Sequence, residues 1–125
     1  MKFHMEYVFI LAVLIVSVMI VVVNIKNTSK FIGSEKNTVY MFYTNWCGYS
    51  RKMLPIWDLV SKKKEFNNLN FKLIDCEKTQ NKALCGRYKI KYLPTIIYVH
   101  ERKILAYNKG AEETELTKFV RNSSK

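Results

Sequence analysis

The most constraining feature of this sequence is a continuous apolar run, TVYMFYT at residues 38–44, that is followed almost at once by a helical pattern. A run of β-branched and aromatic residues without polar alternation predicts a strand that is covered on both faces. Residues 47–64 then predict a helix, which Pro55 should kink. One face of that helix carries Met53, Ile56, Trp57 and Val60. Cys47 therefore stands where a buried strand gives way to a helix.

The rest of the chain predicts further strands and helices in alternation. The predicted strands are residues 70–75, 95–99 and 103–107. Predicted helices lie at residues 78–88 and after Gly110. The order β-α-β-α-β-β-α predicts an α/β fold whose sheet is flanked by helices on both faces.

The N-terminal segment predicts a membrane span. Residues 7–23 contain no charge and a single Ser, and residues 7–25 reach the roughly 17–25 residues needed to cross the hydrocarbon core. A cleaved signal peptide is the alternative, but its apolar region usually runs to about 7–15 residues before a small-x-small site. We therefore predict a transmembrane signal anchor at residues 1–25, a tether at 26–37 and a folded domain at 38–125.

Charge and ligand patterns disfavour two classes of function. The formal net charge of +11 is spread along the chain, and no interleaved basic and aromatic motif accompanies it, so we expect no nucleic-acid partner. Three scattered cysteines and the isolated His4 and His100 do not give metal-ligand spacing. We expect neither a metal nor a cofactor.

Three segments together resemble the thioredoxin superfamily: FYTNWCGYSRKMLP at residues 42–55, YLPT at residues 92–95, and Gly110 before the last helix. The resemblance covers about residues 38–120. It implies a thioredoxin-like fold with a mixed four-stranded sheet flanked by helices. The fold should be shortened, because too few residues separate the apolar segment from Thr38 to supply the first strand and helix of a full thioredoxin.

Cys47 is the predicted nucleophile. A Cys in the first turn of a helix lies near unpaired backbone N–H groups and the positive end of the helix dipole, which lower the thiol pKa from about 8.5 toward neutrality or below. Arg51 and Lys52 add positive charge. A buried, inert Cys is the alternative reading. The resemblance further implies a cis Pro94 facing the sulfur, and a client-binding surface made of Trp46, Gly48, Tyr49, Leu93 and Pro94.

Ser50 stands where the two-cysteine members of the superfamily carry their second thiol. A Ser hydroxyl cannot form a stable bridge to sulfur, so it cannot release a bound client, although it can donate a hydrogen bond to the Cys47 thiolate. The acid that thioredoxins bury six positions before the reactive Cys is replaced by Met41. These residues predict monothiol exchange, of isomerase or reductase type, with cysteine-containing client proteins and with glutathione as partners.

Two other functions stay open. A module that binds or retains clients through a mixed disulfide, without turnover, would use the same residues. CGYS at residues 47–50 is also close to the CGFS of monothiol glutaredoxins that bind clusters, but the Gly-Gly pair which those proteins place after their cis proline is absent.

Cys76 and Cys85 could be unrelated thiols or a pair. A strand end and the following helix can bring them together across eight residues. The arrangement resembles the first thioredoxin domain of quiescin-type sulfhydryl oxidases and some secretory disulfide isomerases, which implies a structural disulfide.

The cysteines and the lysines predict opposite sides of the membrane for the folded domain. Disulfides persist mainly in oxidising compartments, which favours a lumenal or extracellular domain. Lys26, Lys30 and Lys36 follow the apolar segment and favour a cytosolic one. Because the lysine excess is small, we predict a single-pass protein whose domain is lumenal or extracellular.

Overall fold

The computed structural model describes the backbone of residues 2–32 and 37–125, and the side chains of residues 2–23 and 37–125. The chain divides into two compact units between Ser34 and Glu35. Residues 33–36 of the predicted tether lie outside the described residues.

Helix α1 (Lys2–Ile32) forms the first unit. Its part from Lys2 to Val23 has a mean hydropathy of 2.9 over 22 residues and contains no buried residue. At 1.5 Å per residue this stretch matches a hydrocarbon core of about 30 Å. It is long and apolar enough to cross a membrane. The helix also continues through residues 26–32, which the sequence predicted as tether, because no Gly or Pro interrupts it before Gly33.

Four strands form one mixed sheet in the second unit: β1 (Thr38–Tyr43), β2 (Asn70–Asp75), β3 (Thr95–His100) and β4 (Lys103–Tyr107). Their order across the sheet is β2-β1-β3-β4. Strand β1 pairs in parallel with β2 and antiparallel with β3, and β3 pairs antiparallel with β4. The predicted mixed four-stranded sheet is confirmed.

Three α-helices accompany the sheet: α2 (Gly48–Ser61), α3 (Lys82–Arg87) and α4 (Glu113–Ser123). Helix α2 starts one residue after Cys47, which is its N-cap, and runs through Pro55. It ends before the predicted residue 64. The predicted helix at 78–88 divides into a 3-10 turn at Thr79–Asn81 and the short α3, because the Asn81 side chain donates to the Asp75 carbonyl (2.9 Å).

Strand β1 carries the core on both of its faces. Val39 and Met41 pack among residues of α2 and α4. Tyr40 and Phe42 point to the other face and pack against Tyr88 and the residues around α3. The prediction of a strand covered on both faces is confirmed, since all four side chains are fully buried.

A disulfide bond joins the end of β2 to α3. Cys76 directly follows β2, and its N–H donates to the carbonyl of Tyr43 (3.0 Å), so it remains in register beside β1. Cys85 lies on α3, with its Cα atom 6.1 Å from that of Cys76. Both cysteines pack against the cluster that contains Tyr40 and Phe42. The bond therefore fastens α3 to the sheet.

We expect the double substitution Cys76→Ala/Cys85→Ala to lower the free energy of unfolding by about 2–3 kcal/mol, because a closed loop of this size restricts the unfolded chain by that order. Urea unfolding of the full chain in detergent, followed by the fluorescence of buried Trp57, measures the loss. Reductant should destabilise the wild type and leave the double variant unchanged. An equal response of both proteins would contradict a stabilising bond.

Candidate active site

The connection from β1 to α2 places the reactive Cys. Strand β1 ends at Tyr43, and Cys47 takes an extended conformation (φ −75°, ψ 119°) as the N-cap of α2. Its carbonyl accepts the N–H of Arg51 at 3.1 Å, which closes the first turn of the helix. The Cys47 sulfur therefore lies at the end of α2 where N–H groups lack helical partners.

A second segment of the chain reaches the same sulfur. Cys47 is a free, half-buried cysteine, and its thiol donates to the carbonyl of Leu93 at a distance of 3.4 Å. The peptide bond between Leu93 and Pro94 is cis. The hydroxyl of Thr95 donates to the carbonyl of Tyr92 (2.6 Å), which closes this loop on itself. The structure thus brings Cys47, Leu93 and Pro94 together.

Ser50 faces inward from the first turn of α2 and is fully buried. Its Oγ accepts the N–H of Thr44 at 3.5 Å. The pKa of Cys47 is lowered chiefly by the backbone N–H of Ser50 and then by its hydroxyl, which both donate to the sulfur. Burial opposes this shift, while the N–H of Tyr49 and the charge of Arg51 add to it. The first turn of α2 therefore lowers the pKa of the Cys47 thiol through its N–H groups and the Ser50 hydroxyl.

The outer surface of the site is open and aromatic. Trp46 is 66% exposed and Tyr49 is 74% exposed, one on each side of the Cys47–Gly48 pair. Gly48 is exposed as well, and no atom would meet a Cβ placed there within 4 Å. The structure therefore leaves the Cys47 sulfur approachable between large apolar side chains.

Tyr92 is a site residue that the sequence analysis missed. Its side chain is 80% exposed and precedes Leu93, whose carbonyl contacts the sulfur. The sequence could have indicated Tyr92 as a site residue, because it lies in the YLPT segment two residues before Pro94. With Trp46 and Tyr49, it is the third exposed aromatic residue in the two segments that meet at the Cys47 sulfur.

Met41 is fully buried in the core beneath α2, so no carboxylate occupies the position where thioredoxins bury an acid. Among the described residues, no group of three or more His, Cys, Asp or Glu side chains could hold a metal ion. His100 bonds the Asn37 side chain through Nδ1 (2.8 Å) and lies at the end of β3.

This fold, with a free cysteine at the N-terminus of the helix after β1 and a cis proline beside it, defines a class of thiol-disulfide oxidoreductases. The family model Thioredoxin matches residues 19–122, and the chain belongs to that family. Proteins of this thioredoxin and disulfide-isomerase-like family generally act on cysteine-containing client proteins.

Curated relatives are about 31% identical to this chain over the aligned residues. A mitochondrial thioredoxin domain-containing protein of Schizosaccharomyces pombe is 31% identical over 110 residues, covering 80% of this chain and 29% of the relative. Protein disulfide-isomerase A5 of Mus musculus is 31% identical over 100 residues, covering 78% of this chain and 19% of the relative. The chain thus spans less than a third of the length of these two proteins.

Solved structures share the fold. Human ERp44 superimposes with a TM-score of 0.65 at 24% identity, over 80% of this chain and 31% of that protein. The thioredoxin of Malassezia sympodialis superimposes with a TM-score of 0.64 at 18% identity, over 80% of this chain and 85% of that protein. At these identities the superpositions support the thioredoxin fold alone.

We expect Ser50→Ala to raise the pKa of Cys47, because the hydroxyl is one of the two largest causes that lower it. A higher pKa leaves less thiolate at neutral pH, so alkylation at pH 7 should slow by roughly three- to tenfold. At a pH above both pKa values, the rates of wild type and variant should converge. The pH dependence of iodoacetamide labelling measures the shift.

Ser61→Ala is the matched control, since Ser61 ends the same helix and its hydroxyl donates to the Asp58 carbonyl far from the sulfur. This control should titrate like the wild type. Identical midpoints for Ser50→Ala and wild type would remove the assigned role of the hydroxyl.

Proposed function

We propose that this chain is a membrane-anchored thioredoxin-like protein that exchanges thiols and disulfides on client proteins with a single reactive sulfur. One observation carries the proposal. Of the three cysteines in the sequence, two are bonded to each other, and the third, Cys47, stands one helical turn from a buried Ser50. The site therefore offers a nucleophile without an internal resolving thiol.

The first step of the proposed reaction is attack on a client disulfide. The Cys47 thiolate bonds to one client sulfur, and the other client sulfur leaves as a thiolate. One disulfide forms as another breaks, so no net electrons are exchanged with the surroundings. Clients would approach over Trp46, Gly48 and Tyr49 and lie beside Leu93 and Pro94.

The second step must use a thiolate from outside the site. A second thiol of the same client can attack the mixed disulfide, which rearranges the client. Glutathione can attack instead, which reduces or deglutathionylates the client when a second glutathione completes the exchange. The buried Met41 supports this scheme, because a site without a resolving thiol needs no buried base to deprotonate one.

We expect the full chain in detergent to accelerate the recovery of a scrambled disulfide protein in a glutathione buffer, and Cys47→Ser to abolish that acceleration. The reactive sulfur is lost in this variant, whereas Ser123→Ala, which alters a hydroxyl of α4, should keep full activity. Recovery of native enzyme activity by the scrambled client is the measurement. Equal acceleration by Cys47→Ser and wild type would contradict the proposed chemistry.

We also expect Ser50→Cys to convert the site into a dithiol site, because its side chain lies within bonding reach of the Cys47 sulfur. The variant should form a 47–50 disulfide when oxidised and should reduce insulin with dithiothreitol as the electron donor, whereas the wild type cannot form that bond and should reduce insulin more slowly. Acid-quenched alkylation and mass spectrometry count the free thiols. A variant that retains a free Cys47 under oxidising conditions would refute this expectation.

A second candidate function is a client-binding or retention module. The exposed rings of Trp46, Tyr49 and Tyr92 around a sulfur without a resolving partner favour it, since such a surface can hold a client while the covalent bond persists. The recovery assay separates the two functions. Stable mixed disulfides that glutathione releases without any gain in native client would assign the chain to this second function.

The proposal places the domain on the lumenal or extracellular side, with α1 as the anchor. The apolar stretch Lys2–Val23 supports the membrane anchor. The Cys76–Cys85 bond supports the lumenal or extracellular side, because disulfides persist in oxidising compartments. On intact membranes, a membrane-impermeant maleimide should label Cys47 only from the non-cytosolic side. Labelling of Cys76 and Cys85 should require prior reduction, and their labelling from the cytosolic side without reductant would overturn the orientation.

A further inference from the structure

A cleft of about 520 Å³ opens beside the loop that carries Leu93 and Pro94. The end of α3 and the chain that follows it form one side, and β3 with the edge strand β4 forms the other. The proposed exchange reaction assigns no role to the part of this cleft that is formed by residues 87–91, β3 and β4.

The cleft has an apolar floor and a cationic rim. Ile97 and Ile104 line it from the sheet, and Ile104 is 54% exposed although it lies on a strand. Lys89 and Lys91 line the rim, and no acidic residue contributes to the lining. Across the described residues 37–125, neither of these two lysines forms a salt bridge. A ligand that fits this chemistry carries carboxylates next to an apolar group.

Lys89 lines the rim of the cleft with its backbone in a left-handed conformation, which is strained for a lysine. Its φ is +50°, in the left-handed region that favours Gly at the residue after a helix. Two backbone bonds at 3.0 Å impose that conformation, from the N–H of Lys89 to the carbonyl of Gly86 and from the N–H of Ile90 to the carbonyl of Cys85. A lysine therefore occupies a backbone position where Gly would be less strained, and it contributes charge to the cleft.

The cleft borders the loop that contacts the reactive sulfur, because the residues on either side of Leu93 and Pro94 line it. Tyr92 lines the cleft, and the carbonyl of the next residue, Leu93, lies 3.4 Å from the Cys47 sulfur. Thr95 lines it from the other side of the loop and holds the Tyr92 carbonyl. Lys91 and Lys89 precede Leu93 by two and four residues in the chain. A client strand that passes Leu93 and continues alongside this segment would reach the lysines about two to four residues from its reactive cysteine.

We propose that this cleft binds an acidic segment of the client polypeptide, and that it makes the site selective for cysteines with acidic residues about two to four positions away. The proposal deepens the proposed exchange function by naming the class of client. Binding in the cleft is noncovalent, so it can be measured without the exchange reaction.

Fluorescent peptides in which Ser replaces the reactive Cys measure that binding, with Glu-Glu-Leu, Gln-Gln-Leu or Lys-Lys-Leu placed three residues from the Ser. We expect the full chain in neutral detergent to bind the Glu peptide about three- to tenfold more tightly than the Gln peptide at low salt. The preference should shrink in 0.5 M NaCl, where the Debye length falls to about 4 Å. Fluorescence anisotropy gives both dissociation constants.

Lys89→Gln/Lys91→Gln should abolish the preference for the Glu peptide. The matched control is Lys62→Gln/Lys64→Gln, which removes the same charge beyond the C-terminal end of α2 and should keep the preference. Lys91→Glu should shift the preference toward the Lys peptide. This reversal requires a folded protein, so it excludes unfolding as the cause of the loss.

Equal losses in the two double variants would assign the preference to overall charge and overturn the proposal. Displacement of the Glu peptide by millimolar glutathione at constant ionic strength would overturn it as well, because the cleft would then be a site for that tripeptide. A further measurement separates the proposed exchange function from the proposed cleft. The same peptides are made with the reactive Cys in place of Ser, each Cys carries a glutathione adduct, and the rate of exchange with Cys47 is measured. If Cys47 does not react with any of them while the anisotropy preference persists, the exchange function fails and the cleft assignment stands.

Discussion

The burial of β1 on both faces is the constraint that fixes the position of the reactive sulfur. Its side chains alternate between the core under α2 and α4 and the core under α3, so a shift of one residue would move every side chain to the wrong face. In the resulting register, Phe42 lies opposite Thr95 on β3, and Tyr43 lies opposite Asp75 on β2. The residues that follow Tyr43 and those that precede Thr95 must therefore meet, and they bring Cys47 to Leu93.

The pKa of the Cys47 thiol and the release of a covalently bound client depend on different groups in this site. The donors that lower the pKa of Cys47 are the N–H groups at the start of α2 and the hydroxyl of Ser50. Ser50 can serve both the sulfur and the fold, because its oxygen accepts the N–H of Thr44 while its proton remains available to the thiolate. A hydroxyl at this position thus contributes to lowering the pKa of the Cys47 thiol. Only a second thiol could release a client from within, and the protein has none there.

Much of the fold could be predicted from hydrophobic periodicity, because β1 and the inner face of α2 are the segments that the core requires to be apolar. The start of α2 differed by one residue, since the N-cap residue Cys47 precedes the first helical residue and has extended dihedral angles. The 3-10 turn before α3 depends on a bond from Asn81 to Asp75, which no periodicity indicates.

The site was only partly predictable for a related reason. Cys47 and Ser50 are neighbours on one helix turn, so local spacing was sufficient to place them. Leu93 and Pro94 are distant in sequence and could be placed only through the resemblance to thioredoxins. Tyr92 and the cleft depend on the left-handed turn at Lys89, a conformation that the sequence does not favour at a lysine.

The lowered pKa of Cys47 also bears on which product the proposed cycle would form. In a mixed disulfide, an attacking thiolate can strike either sulfur, and the sulfur with the lower pKa is the better leaving group. Cys47 is stabilised as a thiolate by Ser50, whereas an acidic residue near the client cysteine raises the pKa of the client thiol. Attack at the client sulfur, with departure of Cys47, is therefore the faster route.

The product of that route depends on which thiol attacks the client sulfur. If it is a second cysteine of the same client, the client acquires a new internal disulfide, Cys47 regains its thiolate, and the number of disulfides is unchanged. If it is glutathione, the client keeps a glutathione adduct that a further thiol must remove. The second outcome needs one more thiol than the first, so the proposed cycle, with Cys47 as the leaving group, would favour rearrangement of client disulfides over their net reduction.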